Sequence, residues 1–183
     1  MRALSGILLL LIAGCAPPWA IVVQSGPPSA AAGAPQITYA ADFQQLVLDG
    51  QPAGNLIGGE SANEQANIQQ ALQEMDAEFF QNFAGRLDVP VTPAAAPPAQ
   101  GEVRLTGIYA YVQRGARGPI GAATVVTMRY QVSLGGQVVD EVEMTRQLKP
   151  SLTRSSIARR MKWCGGQLGS YAAKFFNQLN SGQ

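Results

Sequence analysis

Two periodicities organise the chain. Between Ala122 and Leu134, the residues Val126, Met128, Tyr130, Val132 and Leu134 alternate with Thr127, Arg129, Gln131 and Ser133. A period of two predicts a strand with one packed face and one wet face. Flanking stretches Glu102–Gln113 and Gln137–Leu148 predict two more strands, and Gly135-Gly136 marks a tight hairpin turn between the second and third. Upstream the period lengthens. Ile68, Leu72, Met75, Phe79 and Phe83 recur at three- and four-residue steps, which predicts a helix with these residues on its core face. Ser61-Ala62-Asn63-Glu64 has the spacing of a capping box and sets the helix start; Gly85 sets its end. The acids Glu74, Asp76 and Glu78 fall off the stripe, toward solvent.

The remaining elements follow from breakers. Ile37, Tyr39, Ala41 and Phe43 alternate within a strand expected over residues 36–48, which Asp49-Gly50-Gln51-Pro52-Ala53-Gly54 ends. Leu87–Val91 reads as a short strand that Pro90 confines to a sheet edge, and residues 92–101 as a loop. Pro150 stops the last strand. Ser151 or Thr153 then caps a helix with Ile157, Met161, Cys164 and Leu168 on one face, continued by Tyr171, Phe175, Phe176 and Leu179. Gly165-Gly166 would weaken this helix by about 1 kcal/mol per glycine, unless close packing compensates. The order predicts an α+β fold: residues 37–183 form a single two-layer sandwich, a mainly antiparallel sheet with two helices on one face.

The first 36 residues differ. Pro17, Pro18, Gly26, Pro27, Pro28, Gly33 and Pro35 lie among alanines and serines, so residues 15–36 are expected to be a tether, with a reach of about 60 Å when extended. Within it, Trp19-Ala20-Ile21-Val22-Val23 either sits at a lipid interface or adds an edge strand. Before it, Met1-Arg2-Ala3-Leu4-Ser5 gives a short positive region, and Leu8-Leu9-Leu10-Leu11-Ile12-Ala13-Gly14-Cys15 an apolar run too brief to span a bilayer. Ile12-Ala13-Gly14-Cys15 resembles the bacterial lipobox. The resemblance implies a signal peptide over residues 1–14, cleavage after Gly14, and acylation at Cys15. No later stretch approaches the ~20 apolar residues of a spanning helix, so the mature chain is expected to be held on a membrane by lipid. Ala16 after the cysteine is not acidic, which by analogy with bacterial sorting implies the outer membrane, facing the periplasm.

Composition narrows the chemistry. Histidine is absent, which removes Ser-His-Asp and Cys-His catalysis and the commonest metal ligand. With Cys15 acylated, Cys164 has no disulfide partner, and its place beside Trp163 points to burial. Net charge is +1, yet residues 37–88 carry eight acids against Arg86, while residues 102–183 carry eleven bases against four acids. The two halves either complement each other within one fold or direct a field at a partner. Five cations lie between Lys149 and Lys162. Among them Arg154, Arg159, Arg160 and Lys162 are the candidate contacts for anionic headgroups, peptidoglycan carboxylates or an acidic protein face, with a solvated helix face as the alternative. Gly115-Ala116-Arg117-Gly118-Pro119-Ile120-Gly121 lacks the strand-to-helix setting of a phosphate loop, and is read as a hairpin connection with Arg114 and Arg117 beside it. Asp76 and Glu78 point in different directions on a helix, and Ser170 and Lys174 miss the serine–lysine spacing.

The lipobox, the Pro/Ala segment and one α/β domain together resemble small bacterial envelope lipoproteins. Tyr39-Ala40-Ala41-Asp42-Phe43 followed by a capped helix is similar to the opening of domains in the curli-secretion lipoprotein and the lipoprotein activators of penicillin-binding proteins. The resemblance implies a periplasmic binding, assembly or regulatory module, with the membrane and an envelope protein or peptidoglycan as partners. No catalytic residue, cofactor, metal or nucleic-acid partner is expected, and the oligomeric state stays open. The alternative is an enzyme acting on envelope polymers with carboxylates that no motif announces.

Overall fold

The computed structural model describes residues 18–26, 28–94, 97–116 and 121–181. Three long strands form its centre: β6 (Val103–Gln113), β7 (Thr124–Leu134) and β8 (Gln137–Leu148). They pair antiparallel, β6 to β7 and β7 to β8. At the β7–β8 hairpin Gly135 and Gly136 take φ of 57° and 87°, the positive values that a two-residue turn between twisted strands demands. The alternation predicted for β7 holds: Val126, Met128, Tyr130 and Val132 are buried, while Arg129 is exposed.

Around this centre the sheet is mixed. β2 (Ile37–Asp42) runs parallel to β6 on one side and to the short β5 (Val91–Pro93) on the other, so β5 forms the edge that Pro90 signalled. The strand expected over residues 36–48 is interrupted. After Asp42 the chain turns, returns to β6 as β3 (Val47–Leu48), and pairs with β4 (Gln51–Pro52) before the one-turn helix α1 (Ala53–Gly58). In order across the sheet, with β1 at Trp19–Val23, the path is β1-β8-β7-β6-β2-β5.

The opposite edge corrects the expected tether. Strand β1 (Trp19–Val23) pairs antiparallel with β8, and Trp19 packs edge-on against Phe175, with ring centroids 5.8 Å apart. Ser25 donates from its backbone N–H to Asp140 at 2.9 Å, the hydroxyl of Ser29 donates to the same carboxylate, and Ala31 is buried. A buried aspartate with three donors, the Ser25 backbone N–H and the hydroxyls of Ser25 and Ser29, fixes this segment to β8, so the compact fold includes residues upstream of 37. Bonds from Ser25 and Ser29 to Asp140 order this proline- and alanine-rich stretch without leaving a periodic trace in the sequence.

Helices α2 (Ala62–Ala84) and α3 (Ile157–Ser181) cover one face of the sheet, as the α+β sandwich requires. Ser61 caps α2 through the backbone N–H of Glu64. Met75, Phe79 and Phe83 of α2 are fully buried, and Phe79 and Phe83 pack with Tyr130 of β7. Each such side chain contributes roughly 1.5–3 kcal/mol through burial. The two helices run parallel in backbone contact. A Cβ at Gly165 would lie 2.1 Å from the carbonyl oxygen of Met75, and one at Gly169 would lie 2.2 Å from that of Phe79. Close packing therefore compensates the helix penalty of these glycines. None of the helices among the described residues is long and apolar enough to cross a membrane.

Candidate functional site: a cleft between the long helices

Where the glycines stop, the helices part. N-terminal to the Gly165–Met75 contact, α3 presents Ile157, Ala158 and Met161 in place of glycine, and a cleft of about 690 Å³ opens between the first halves of α2 and α3. From α2 come Glu64, Asn67, Gln70 and Glu74, three or four residues apart along one ridge. Ile68, Ala71 and Met161 form an apolar floor, while Ser155 and Ser156 line the far wall.

Arginine side chains brace both walls. Arg114, at the end of β6, donates from its backbone N–H and from Nε to Asp49, at 2.7 and 2.6 Å, and its guanidinium lies 3.7 Å from Glu64. This ties the β3–β4 turn and the start of α2 to the central sheet. Arg160 does the same for α3. Its Nε donates to Thr124 Oγ1 at 2.8 Å, Nη1 to the carbonyls of Arg154 and Ser155 at 3.0 and 2.9 Å, and Nη2 to the carbonyl of Ala116 at 2.7 Å. Four neutral acceptors around a fully buried guanidinium join the β6–β7 connection to the start of α3.

This corrects the reading of the basic segment. Arg160 is buried and presents nothing to a partner. The signal was present in the spacing: Arg160, Cys164 and Leu168 are four apart, so Arg160 shares the core face of the helix. The other three cations are at the surface. Arg159 is exposed and donates to the carbonyl of Thr153 at 3.1 Å. Arg154 stands over the Trp163 ring at 5.6 Å. Lys162 reaches Glu78 of α2 at 3.4 Å, so the acidic helix and the basic segment do meet within the fold at this pair. Cys15 and Arg117 lie outside the described residues.

A second polar cluster lies on the other side of α2. Tyr39 and Tyr109 both donate to Asp76 Oδ1, at 2.5 and 3.0 Å. Phe43 stacks on Tyr109 at 4.4 Å, and Phe79 and Phe80 pack on Tyr39. Gly107 leaves the room for this arrangement, since a Cβ there would lie 2.9 Å from the Tyr39 hydroxyl. Burial raises the Asp76 pKa above the ordinary carboxylate value, and the two phenol bonds lower it only in part. Burial, then the neighbouring charge of Asp76, holds Tyr109 far above the usual phenol value; Tyr39 rises through burial and Tyr109 first. Neither phenol ionises at neutral pH, and both serve as fixed donors. Sequence reading placed Asp76 toward solvent because periodicity marks only apolar stripes. Cys164 is buried as expected, and burial lifts its thiol to about 11.

Chemically, the cleft offers Glu64 paired with Arg114, Glu74 accepting from the Gln70 amide at 2.8 Å, the Asn67 amide and two serines over an apolar floor. Glu64 and Glu74 are ten residues apart, which separates them by roughly 15 Å along the helix axis. Paired carboxylates that cleave glycosidic bonds stand about 5–9.5 Å apart. The arrangement suits hydrogen bonding to a polar or cationic partner. Among the described residues no group of three or more Cys, Asp or Glu side chains is placed to hold a metal ion.

No protein-family model matches the chain, and no curated protein matches it. Among solved structures the chain is similar to the PelC dodecamer from Paraburkholderia phytofirmans, at 14% identity and a TM-score of 0.43, with 85% of this chain and 97% of that one covered. A point variant of the same dodecamer gives 13% identity and a TM-score of 0.40 over 85% and 97% of the two chains. An uncharacterised protein gives 10% identity and a TM-score of 0.37 over 86% and 94%. Likenesses of this size assign the chain to no family.

Proposed function

We propose that this protein is an outer-membrane lipoprotein, anchored through Cys15 and facing the periplasm, that acts as a non-catalytic binding or assembly module of the cell envelope. The observation that carries the reading is the Ile12-Ala13-Gly14-Cys15 pattern after a short apolar run. The fold supports it in one respect. Strand β1, already part of the sheet, begins at Trp19, only four positions after Cys15. Such a module stays close to the membrane, within reach of neighbouring envelope proteins, rather than ranging on a ~60 Å tether.

The cleft between α2 and α3 is the surface at which this module would take a polar partner, through Glu64, Asn67, Gln70 and Glu74. Labelling cells with a fatty-acid probe tests the anchor. The wild-type protein takes the label and Cys15→Ser does not; an unlabelled wild type, or a labelled Cys15→Ser protein, overturns the reading. Chemical crosslinking in intact cells tests the module, and a Glu64→Gln/Glu74→Gln variant that keeps its stability is expected to lose the crosslinked partner.

A further inference from the structure

We propose that the end of the domain bearing Leu152, Arg154, Arg159, Lys162 and Trp163 docks directly on anionic phospholipid headgroups. The proposal rests on the anchored reading, and three observations on strand direction, level and surface chemistry carry it further. Strand β1 pairs antiparallel with β8, with Trp19 opposite Met144 and Val23 opposite Glu141. The chain therefore enters the sheet from the end at which β8 finishes, at Leu148. Trp19 is four positions after Cys15, so an anchor at Cys15 lies within about 14 Å of that strand's start.

The same end carries the start of α3. Cys164 Sγ lies 4.0 Å from the Arg146 carbonyl, and Arg160 bonds to Thr124, the residue opposite Leu148. Trp163 thus stands at the level of β8 residues 146–148, on the outer surface of the helix. Its side chain is 50% exposed, and Leu152, just before α3, is 87% exposed. Around them stand Arg159 on the surface, Arg154 against the indole, and Lys162 beside Glu78. An indole and an exposed leucine in a segment that also carries Arg154, Arg159 and Lys162 is the chemistry of binding at an anionic lipid interface, where indole rings settle at headgroup depth and cations meet phosphate.

The test uses the mature protein extracted from membranes, after the fatty-acid probe has scored Cys15. A Trp19→Phe variant leaves Trp163 as the one indole, and it is reconstituted in vesicles of phosphatidylcholine and phosphatidylglycerol with brominated acyl chains. Trp163 emission is expected to fall by about half, since an interfacial ring sits within ~5–10 Å of the acyl boundary. Replacing Arg154, Arg159 and Lys162 by glutamine is expected to weaken docking about fivefold for each cation removed, and added salt to do the same. Emission unchanged from that in unbrominated vesicles overturns the proposal while the probe still reports the anchor. Trp163 shielded from acrylamide without vesicles, together with a crosslinked dimer, overturns it in favour of a second copy of the chain. An unlabelled Cys15 removes the anchor. The same protein added to vesicles then tests the patch alone, for which sedimentation with phosphatidylglycerol but not with phosphatidylcholine is the supporting result and no sedimentation the contrary one.

Discussion

A methyl group added at Gly165 or Gly169 is expected to force α2 and α3 apart. At Gly165 the new carbon would stand 2.1 Å from the Met75 carbonyl oxygen and 3.0 Å from its carbonyl carbon. At Gly169 it would stand 2.2 Å from the Phe79 oxygen. Ordinary contact needs about 3.4 Å, so the helices must separate by roughly 1 Å, against a core packed at crystal density. Overpacking of this kind costs about 1–3 kcal/mol, toward the upper limit where the obstacle is backbone, and alanine returns about 1 kcal/mol of helix propensity. The net loss is then about 2 kcal/mol for each single variant, a fall in Tm of roughly 4–8 °C for a domain of this size. Gly166→Ala is the control, because it gains the same propensity. Its Cβ would meet the Asn82 amide nitrogen and Glu78 Cγ at 3.1 Å each, side-chain atoms that can move. Thermal unfolding by circular dichroism at pH 7 compares the three. Gly165→Ala or Gly169→Ala as stable as Gly166→Ala would refute the backbone contact and the account of how the cleft opens.

Arg160→Met leaves the hydroxyl of Thr124 and the carbonyls of Ala116, Arg154 and Ser155 without their donor. A loss of about 2–4 kcal/mol is expected in urea unfolding, against less than about 1 kcal/mol for the exposed Arg159→Met. Asp76→Asn keeps an oxygen for Tyr39 and Tyr109 while removing the charge. Because the folded-state pKa of Asp76 is raised, its contribution is present at low pH and is lost as pH climbs through that value. Tm of the variant minus Tm of wild type should therefore rise from acid to neutral pH; a difference that falls would reverse the sign assigned to burial. Cys164, buried with its thiol at about 11, is expected to resist maleimide at neutral pH until the protein is unfolded, as a mass measurement will show.

The parts of the fold that repeat were legible. The alternation in β7, the capped stripe of α2 and the Gly135-Gly136 turn follow rules of spacing within four residues, and the structure has each of them. Elements fixed by single long-range contacts were not. Ser25 and Ser29 meet Asp140 more than a hundred positions away, so a segment read as a tether became part of the sheet's edge. The same holds for the site. Exposed Arg159 and Lys162 and half-buried Arg154 were found by counting charge, but Arg160 needed its helix face weighed against its charge, and the apolar positions Cys164 and Leu168 decide it. The cleft had one sequence trace, glycines at 165 and 169 with none at the preceding turns of the helix. Asp76 had none, because a carboxylate between two phenols from separate strands is visible only once β2 and β6 are side by side.

The central claim is that Cys15 is the mature N-terminus, carries the membrane anchor, and sits directly before the fold. Intact-mass and N-terminal peptide analysis of the protein from the membrane fraction tests it most directly. The account predicts a chain cleaved after Gly14, with Cys15 heavier by a diacylglyceryl group and an N-acyl chain. A mature chain that begins elsewhere, or that begins at Cys15 with an unmodified thiol, would contradict it.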